Sequence, residues 1–159
     1  MSQTDTEPTV AVGDIAPEFS LRDQHGADVS LSSFRGECAV LVVFYPFAFS
    51  GICTGELCEI RDDLSVFQND AVQVLAVSCD PMYSLRAWAE DQKFDFPLLS
   101  DFWPHGAVAS SYGVFDAERG MALRGSFLVD VEGTVRWAVV NGPGQARDLS
   151  AYREALAAL

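Results

Sequence analysis

Three residues at fixed spacing, Pro46, Ser50 and Cys53, separate a strongly apolar stretch from a segment with helical periodicity. A cysteine acts as a nucleophile in its thiolate form, and a hydroxyl three residues before it can donate a hydrogen bond to the reacting group. A lone cysteine in this setting is more often a small buried core residue. Cys53 is therefore a candidate for nucleophilic thiol chemistry, with a core residue as the alternative.

The elements around Cys53 are predicted to be a buried strand followed by a helix. Residues 39–45 are β-branched and aromatic without polar alternation, which is typical of a strand buried on both faces. Residues 51–67 carry apolar side chains with a helical period, and Ser50 stands where an N-cap residue is expected. Cys53 would then lie in the first helical turn, where unpaired backbone N–H groups favour the thiolate over the thiol.

The remaining chain predicts an α/β domain with a mixed sheet covered by helices on both faces. Residues 16–31 predict an antiparallel β-hairpin ahead of the buried strand, and a second buried strand at 72–78 predicts parallel pairing. The other predicted elements are a helix at 84–94, a short edge strand at 96–99, a short helix at 104–112, a hairpin at 126–140 and a helix at 148–159. A βαβ half is thus joined to a terminal hairpin and helix.

Length, charge and cysteine content limit the possible functions. The 159 residues suit one domain, which we place at 9–159 after a polar, disordered tail at 1–8. The formal net charge of -13 argues against nucleic acid and anionic membrane surfaces as partners. We see no signal peptide and no apolar run long enough to cross a bilayer, so we expect a cytoplasmic protein. Four cysteines in that compartment are expected to be reduced.

The spacing Pro46-x-x-x-Ser50-x-x-Cys53 resembles the Pro-x-x-x-Thr/Ser-x-x-Cys signature of the peroxiredoxins. The likeness runs from about Val12 to the last residues. The motifs around Cys53 and at 100–108 are similar to the alkyl hydroperoxide reductase E group, described as one-cysteine peroxiredoxins. The resemblance implies a thioredoxin-like fold. It also implies a thiol-dependent peroxidase that reduces hydrogen peroxide and organic hydroperoxides while its cysteine becomes a sulfenic acid.

The same resemblance implies a role for each residue of the motif. Cys53 is the peroxidatic cysteine, the Ser50 hydroxyl contacts the peroxide, and Pro46 shields the thiolate from water. Arg124 stands where family members place an arginine whose cation binds the peroxide beside the thiolate. Glu56 resembles the acidic residue that orients this arginine. Without the resemblance, Arg124 would be a solvated charge, Glu56 an acid complementing the helix dipole, and Pro46 the end of a strand.

Cys58 departs from the one-cysteine pattern, because its five-residue offset from Cys53 resembles the resolving cysteine of Q-type peroxiredoxins. Five helical residues rise about 7.5 Å, which exceeds the limit of roughly 7 Å between the Cα atoms of a disulfide. The first turns would have to unwind, at a cost that Gly55 lowers. Cys58 is therefore either a resolving cysteine or a helix core residue. Cys38 and Cys79 are predicted to pack, with Cys79 the weaker resolving candidate at the carboxyl end of a strand.

The resemblance also implies the partners of the protein. These are a hydroperoxide substrate, a thiol reductant such as thioredoxin, a mycoredoxin-like protein or a low-molecular-weight thiol, and a second copy in a homodimer. His25 and His105 form no ligand pattern with the cysteines, so we predict neither a metal nor a cofactor. One alternative is a thiol redox sensor or relay that passes the oxidation of Cys53 to a partner protein. Another is a thioredoxin-like binding module in which Cys53 is an ordinary thiol.

Overall fold

The computed structural model of the chain describes residues 10–142, 145 and 147–159. The predicted disordered tail at 1–8 lies outside the described residues. Strands in this part of the chain are β1 (Ser20–Arg22), β2 (Asp28–Ser30), β3 (Ala39–Phe44), β4 (Val72–Ser78), β5 (Leu98–Ser100), β6 (Phe115–Asp116), β7 (Met121–Ala122), β8 (Arg124–Val129) and β9 (Val135–Asn141). Seven of them form one mixed sheet, and β6 and β7 form a separate small hairpin.

The strands of the main sheet follow the order β2-β1-β5-β4-β3-β8-β9. β3, β4 and β5 run parallel, and antiparallel hairpins flank them on both sides. The predicted N-terminal hairpin, the two buried parallel strands and the hairpin near the C-terminus are confirmed. The prediction of an edge strand at 96–99 is wrong, because Arg22 of β1 pairs with Ser100 and places β5 inside the sheet.

Within the described residues, five helices pack on this sheet, together with a 3-10 turn at Leu31–Phe34. They are α1 (Gly51–Asp62), α2 (Leu64–Phe67), α3 (Met82–Gln92), α4 (Ala107–Ser111) and α5 (Leu149–Ala157). The predicted helices after β4 and at the C-terminus are confirmed, and Asp148 caps α5 by accepting a hydrogen bond from the Ser150 N–H at 3.1 Å. Among the described residues, no helix combines the length and the apolar character that a bilayer crossing requires.

The core lies on both faces of β3, all of whose residues are buried. Leu41 and Val43 pack in a cluster with apolar residues of α1, α2, α3 and α5. Val40 and Val42 point to the opposite face, where Ala109 of α4 and the N-terminal segment cover them. Successive side chains of a strand point to opposite faces of the sheet, so a strand that is apolar throughout must be covered on both faces. This arrangement fixes the carboxyl end of β3 and the start of α1 in the middle of the molecule.

The predicted single helix at 51–67 is wrong, because the structure breaks it at Asp63. This residue has φ -128° and ψ 40°, which lie outside the helical region. Aspartate competes for backbone hydrogen bonds and is a poor residue for a helix interior. The Asp63 carboxylate also accepts a hydrogen bond from Arg153 Nη2 of α5 at 3.1 Å. The cysteine helix therefore ends at Asp62 and is anchored to the C-terminal helix there.

Candidate active site

Cys53 lies where the central strand passes into α1. The Tyr45 N–H donates to the Val77 carbonyl of β4 at 3.0 Å, which extends the sheet one residue beyond Phe44. Six residues later α1 begins, and Cys53 is its third residue. The Cys53 side chain is 0% exposed and packs in the core cluster with α1 and α3. The predicted place of Cys53, in the first turn of a helix that follows a buried strand, is confirmed.

Ser50 occupies the N-cap position of α1, but it does not cap the helix with its side chain. Its hydroxyl donates instead to the Phe47 carbonyl at 3.0 Å. Its own carbonyl accepts from the Thr54 N–H at 2.9 Å and from the Thr54 hydroxyl at 2.7 Å. No acidic residue lies in the first turn. The Ser50 side chain therefore accepts no hydrogen bond from the N–H groups at the start of α1, and these groups stay available to an anionic group.

The loop at 45–50 covers the cysteine with apolar side chains. Pro46 is buried, whereas Phe47, Phe49 and Ile52 are 43%, 55% and 40% exposed and form an apolar rim. Phe49 has φ 69°, a left-handed conformation that is unfavourable for a residue with a Cβ atom. Its ring lies 6.1 Å from the ring of Trp88 on α3. The loop is therefore held in a strained conformation by contacts outside itself.

Glu56 forms a buried ion cluster with two arginines. Its Oε1 accepts from Arg124 Nη1 at 2.5 Å and from Arg147 Nη1 at 2.6 Å. Its Oε2 accepts from the Arg147 backbone N–H at 2.6 Å. All three residues are less than 10% exposed, and an Arg147 Nη2 also donates to the Phe44 carbonyl at the end of β3. The cluster ties β3, α1, β8 and the segment before α5 to one carboxylate.

This cluster brings two guanidinium groups to the helix that carries Cys53. Arg124 and Arg147 both donate to the carboxylate of Glu56. Cys53 and Glu56 are three residues apart on α1 and both are buried. Residues at this spacing lie on one helix face, with about 5–6 Å between their Cβ atoms. The arrangement suits a reaction in which negative charge develops next to the sulfur.

A model of the AhpC/TSA family matches residues 12–138, which is well over half of the chain. The chain belongs to the AhpC/TSA family. It is 51% identical over 148 residues to alkyl hydroperoxide reductase E of Mycobacterium tuberculosis, and the alignment covers 93% of this chain and 97% of that protein. Peroxiredoxin Bcp of Escherichia coli is 39% identical over 129 residues, which cover 77% of this chain and 81% of Bcp.

Solved peroxiredoxin structures share the fold of this AhpC/TSA family member. Peroxidoxin BcpB of Mycobacterium tuberculosis matches with a TM-score of 0.81 and 32% identity, over 93% of this chain and 95% of BcpB. The reduced 2-Cys peroxiredoxin of Plasmodium vivax matches with a TM-score of 0.85 and 27% identity, over 95% of this chain and 82% of that one. The predicted thioredoxin-like fold and the resemblance to peroxiredoxins are confirmed. The protein is accordingly a peroxidase, an enzyme of the oxidoreductase class.

Arg147 is the member of this ion cluster that sequence analysis missed. Besides its contacts with Glu56, its Nε donates to the Ser126 hydroxyl at 3.3 Å, and that hydroxyl is 2.5 Å from the Tyr152 hydroxyl. One sequence signal was available. Arg147 comes directly before the N-cap of α5, where the helix dipole disfavours a cation. A basic residue in that place suggests a carboxylate partner elsewhere in the fold.

The other cysteines of this peroxiredoxin are free thiols that lie outside the first turn of α1. Cys58 is half-buried on α1, and its Sγ is 3.4 Å from Gln92 Oε1 of α3. Cys79 is buried after β4, and burial raises the pKa of its thiol to about 12. Burial also raises the pKa of the Cys38 thiol, with a smaller contribution from Glu37. The burial of Cys79 favours its interpretation as a packing residue, since a thiol that stays protonated is a poor nucleophile.

Proposed function

We propose that Cys53 is the peroxidatic cysteine and that it reduces hydrogen peroxide and organic hydroperoxides. Its thiolate attacks one peroxide oxygen, an S–O bond forms as the O–O bond breaks, and the departing oxygen takes a proton. The sulfur is oxidised to a sulfenic acid and the peroxide is reduced to water or an alcohol. The observation that carries this proposal is the buried Cys53 in the first turn of α1, one turn from the carboxylate that holds Arg124 and Arg147.

The residues around Cys53 supply what this reaction needs. Ser50 presents a hydroxyl, and the first turn of α1 presents N–H groups that Ser50 does not occupy. Arg124 contributes a guanidinium group that Glu56 holds in place, and we assign it the binding of the peroxide. Pro46 and the apolar rim of the loop exclude bulk water from the sulfur. Glu56 is the positioning residue of this set.

In the proposed cycle Cys58 resolves the sulfenic acid. Its thiol attacks the Cys53 sulfur, water leaves, and an external thiol such as thioredoxin, a mycoredoxin-like protein or a low-molecular-weight thiol then reduces the disulfide. Both cysteines lie on the intact helix α1, so the first turns must unwind for this step. Three features lower the free energy needed to unwind these turns. Ser50 gives no side-chain cap and the first turn has no acidic residue. Gly55 lies exposed between the two cysteines.

We further propose a homodimer in a reducing compartment, on the basis of exposed aromatic residues and free cysteines. Trp103 and Tyr83 are 80% and 70% exposed, and Phe102, which lines the same surface cleft, is 45% exposed. Exposed aromatic residues in one patch are typical of a protein interface, which supports a homodimer. Four free cysteines support a reducing compartment such as the cytoplasm. Two core clusters on one sheet support a single domain at 9–159.

Intact mass after one equivalent of hydrogen peroxide tests the proposed function. The reduced protein is expected to lose two hydrogens, and either Cys53→Ser or Cys58→Ser should abolish that loss. A gain of one oxygen that only Cys53→Ser removes would show that an external thiol acts directly on the sulfenic acid. An unchanged mass in all three proteins would contradict the peroxidase proposal. Hydrogen peroxide is the probe because it needs no shape complementarity with the loop.

A Gly55→Ala substitution is expected to slow disulfide formation about fivefold, because alanine stabilises a helix by about 1 kcal/mol relative to glycine. The substitution adds no clash, since nothing lies within 4 Å of a Cβ atom at this position. The rates of sulfenic acid formation and of the following disulfide step are measured by quenched-flow mass spectrometry. Ser65→Ala on α2, outside the segment between the cysteines, is the control and should leave the disulfide rate unchanged. Equal disulfide rates in Gly55→Ala and the unsubstituted protein would contradict unwinding of α1.

A further inference from the structure

Asp80 links the strand next to β3 with the loop that covers Cys53. Its Oδ2 accepts a hydrogen bond from the Ala48 N–H at 2.8 Å and another from the Ser78 hydroxyl at 2.7 Å. Ala48 lies in the middle of the loop at 45–50. We propose that Asp80 is a positioning residue that holds this loop, and with it the start of α1, in the arrangement that reacts with peroxide. The proposal rests on the peroxidase function proposed above.

The topology of the sheet explains how Asp80 reaches the loop. β3 and β4 are parallel and adjacent, with Phe44 paired to Val77, so their carboxyl ends lie at the same edge of the sheet. Asp80 follows β4 by two residues and therefore faces the loop that follows β3. Its backbone is fixed from two sides, because Pro81 restricts it to extended conformations and the Ser100 hydroxyl of β5 donates to its carbonyl at 2.6 Å. The carboxylate is thus presented on a rigid support.

The loop needs such an anchor because its own interactions are weak. Phe49 has the unfavourable left-handed conformation. The Ser50 hydroxyl donates to the Phe47 carbonyl and does not cap α1. The Ser50 N–H lies 3.5 Å from the Phe47 carbonyl, which is a long hydrogen bond. The contact between Ala48 and Asp80 has an ionised acceptor and a length of 2.8 Å. It is therefore the stronger restraint on the loop.

Positioning and simple electrostatics predict opposite results for Asp80. A carboxylate at this edge of the sheet opposes the growth of negative charge at a nearby sulfur, so its charge alone slows the reaction. If charge were its only effect, removing it would speed peroxide reduction. If Asp80 positions the loop, removing it slows peroxide reduction while exposing the covered Cys53 to other reagents. Asparagine keeps an acceptor oxygen without the charge and so separates the two effects.

The test measures two second-order rates in the full chain: oxidation of Cys53 by hydrogen peroxide, and alkylation of Cys53 by iodoacetamide followed by peptide mass spectrometry. Asp80→Ala is expected to lower the first rate about tenfold and to raise the second. Asp80→Asn should retain most of the peroxide rate of the unsubstituted protein. Ser78→Ala removes the hydroxyl that donates to the Asp80 carboxylate. It should change both rates in the same directions as Asp80→Ala but by smaller factors. This variant replaces Asp80→Ala in the test if Asp80→Ala does not fold.

Asp23→Ala is the matched control. The Asp23 carboxylate also accepts hydrogen bonds from backbone N–H groups, those of His25 at 2.8 Å and Ala27 at 3.0 Å. These hydrogen bonds lie in the β1–β2 hairpin. Asp23→Ala should change neither rate. The proposal is overturned if Asp80→Ala reacts with peroxide as fast as or faster than the unsubstituted protein, or if Asp80→Asn is as slow as Asp80→Ala. An unsubstituted protein that does not react with peroxide at all would instead refute the peroxidase function.

Discussion

Replacement of Cys53 by serine is expected to lower the rate of hydrogen peroxide consumption by on the order of 10⁴-fold or more, the scale seen when an enzyme loses its nucleophile. A serine hydroxyl stays protonated at neutral pH and cannot take the place of a thiolate. The side chain is buried and nearly isosteric with cysteine, so the fold should be kept. The measurement is peroxide consumption in the presence of excess dithiothreitol, with the circular dichroism spectrum of both proteins as the check on folding.

Cys38→Ser is the matched control for the loss of a thiol. Cys38 is a half-buried free cysteine at the start of β3, the opposite end of the strand from the proposed site. Its thiol has a pKa raised by burial, so it should contribute nothing to turnover. A Cys38→Ser protein that loses as much activity as Cys53→Ser would mean that the loss is not specific to Cys53. Retention of full activity by Cys53→Ser would contradict the assignment of Cys53.

A Glu56→Gln substitution is expected to cost about 3–5 kcal/mol of unfolding free energy, because it removes the buried carboxylate that two buried guanidinium groups share. The amide keeps the shape of the carboxylate and one acceptor oxygen, so the loss comes from charge and not from packing. Urea unfolding followed by far-UV circular dichroism gives the free energy. The same substitution should slow Cys53 oxidation, because Arg124 loses its ion pair with Glu56.

Asp62→Asn is the control for removal of a carboxylate from α1. Asp62 pairs with Arg61 at 2.8 Å, but its side chain is 67% exposed, so its loss should cost less than about 1 kcal/mol. If Glu56→Gln fails to fold, a double substitution of Glu56→Gln and Arg147→Gln removes one cation together with the anion. It should be more stable than the single variant. A Glu56→Gln protein as stable as Asp62→Asn would show that the cluster is not a buried ionic unit.

The parts of the fold that could be predicted from the sequence are those with a local cause. β3 and β4 are buried on both faces and therefore read as continuous apolar runs, and their predicted bounds agree with the structure to within a residue. The place of Cys53 followed from the end of one such run and the start of a helical period. The contact between Glu56 and Arg124 was anticipated only through the resemblance to peroxiredoxins, since 68 residues separate them.

The parts that escaped prediction depend on contacts between distant segments. Asp80 follows a predicted strand, but the role that we propose for it requires that β4 lie beside β3. Arg147 joins the site because the segment before α5 returns to the end of β3. The break at Asp63 interrupts an apolar periodicity that continues on both sides of it. Pattern analysis describes which face of an element is buried, but it does not describe which elements meet.

The contact between Phe49 and Trp88 gives the protein an optical signal of its own state. Trp88 is 0% exposed and lies among the rings of Tyr45, Phe49 and Phe94, with centroid distances of 5.4, 6.1 and 5.0 Å. Phe49 belongs to the loop that must move when α1 unwinds, so this movement changes the surroundings of the indole. Trp103 lies in a surface cleft with Tyr83, and the ring of Trp137 packs on Tyr152 of α5 at 4.8 Å. Each catalytic turnover should therefore appear as a rise and fall in the intrinsic fluorescence of Trp88, without any label.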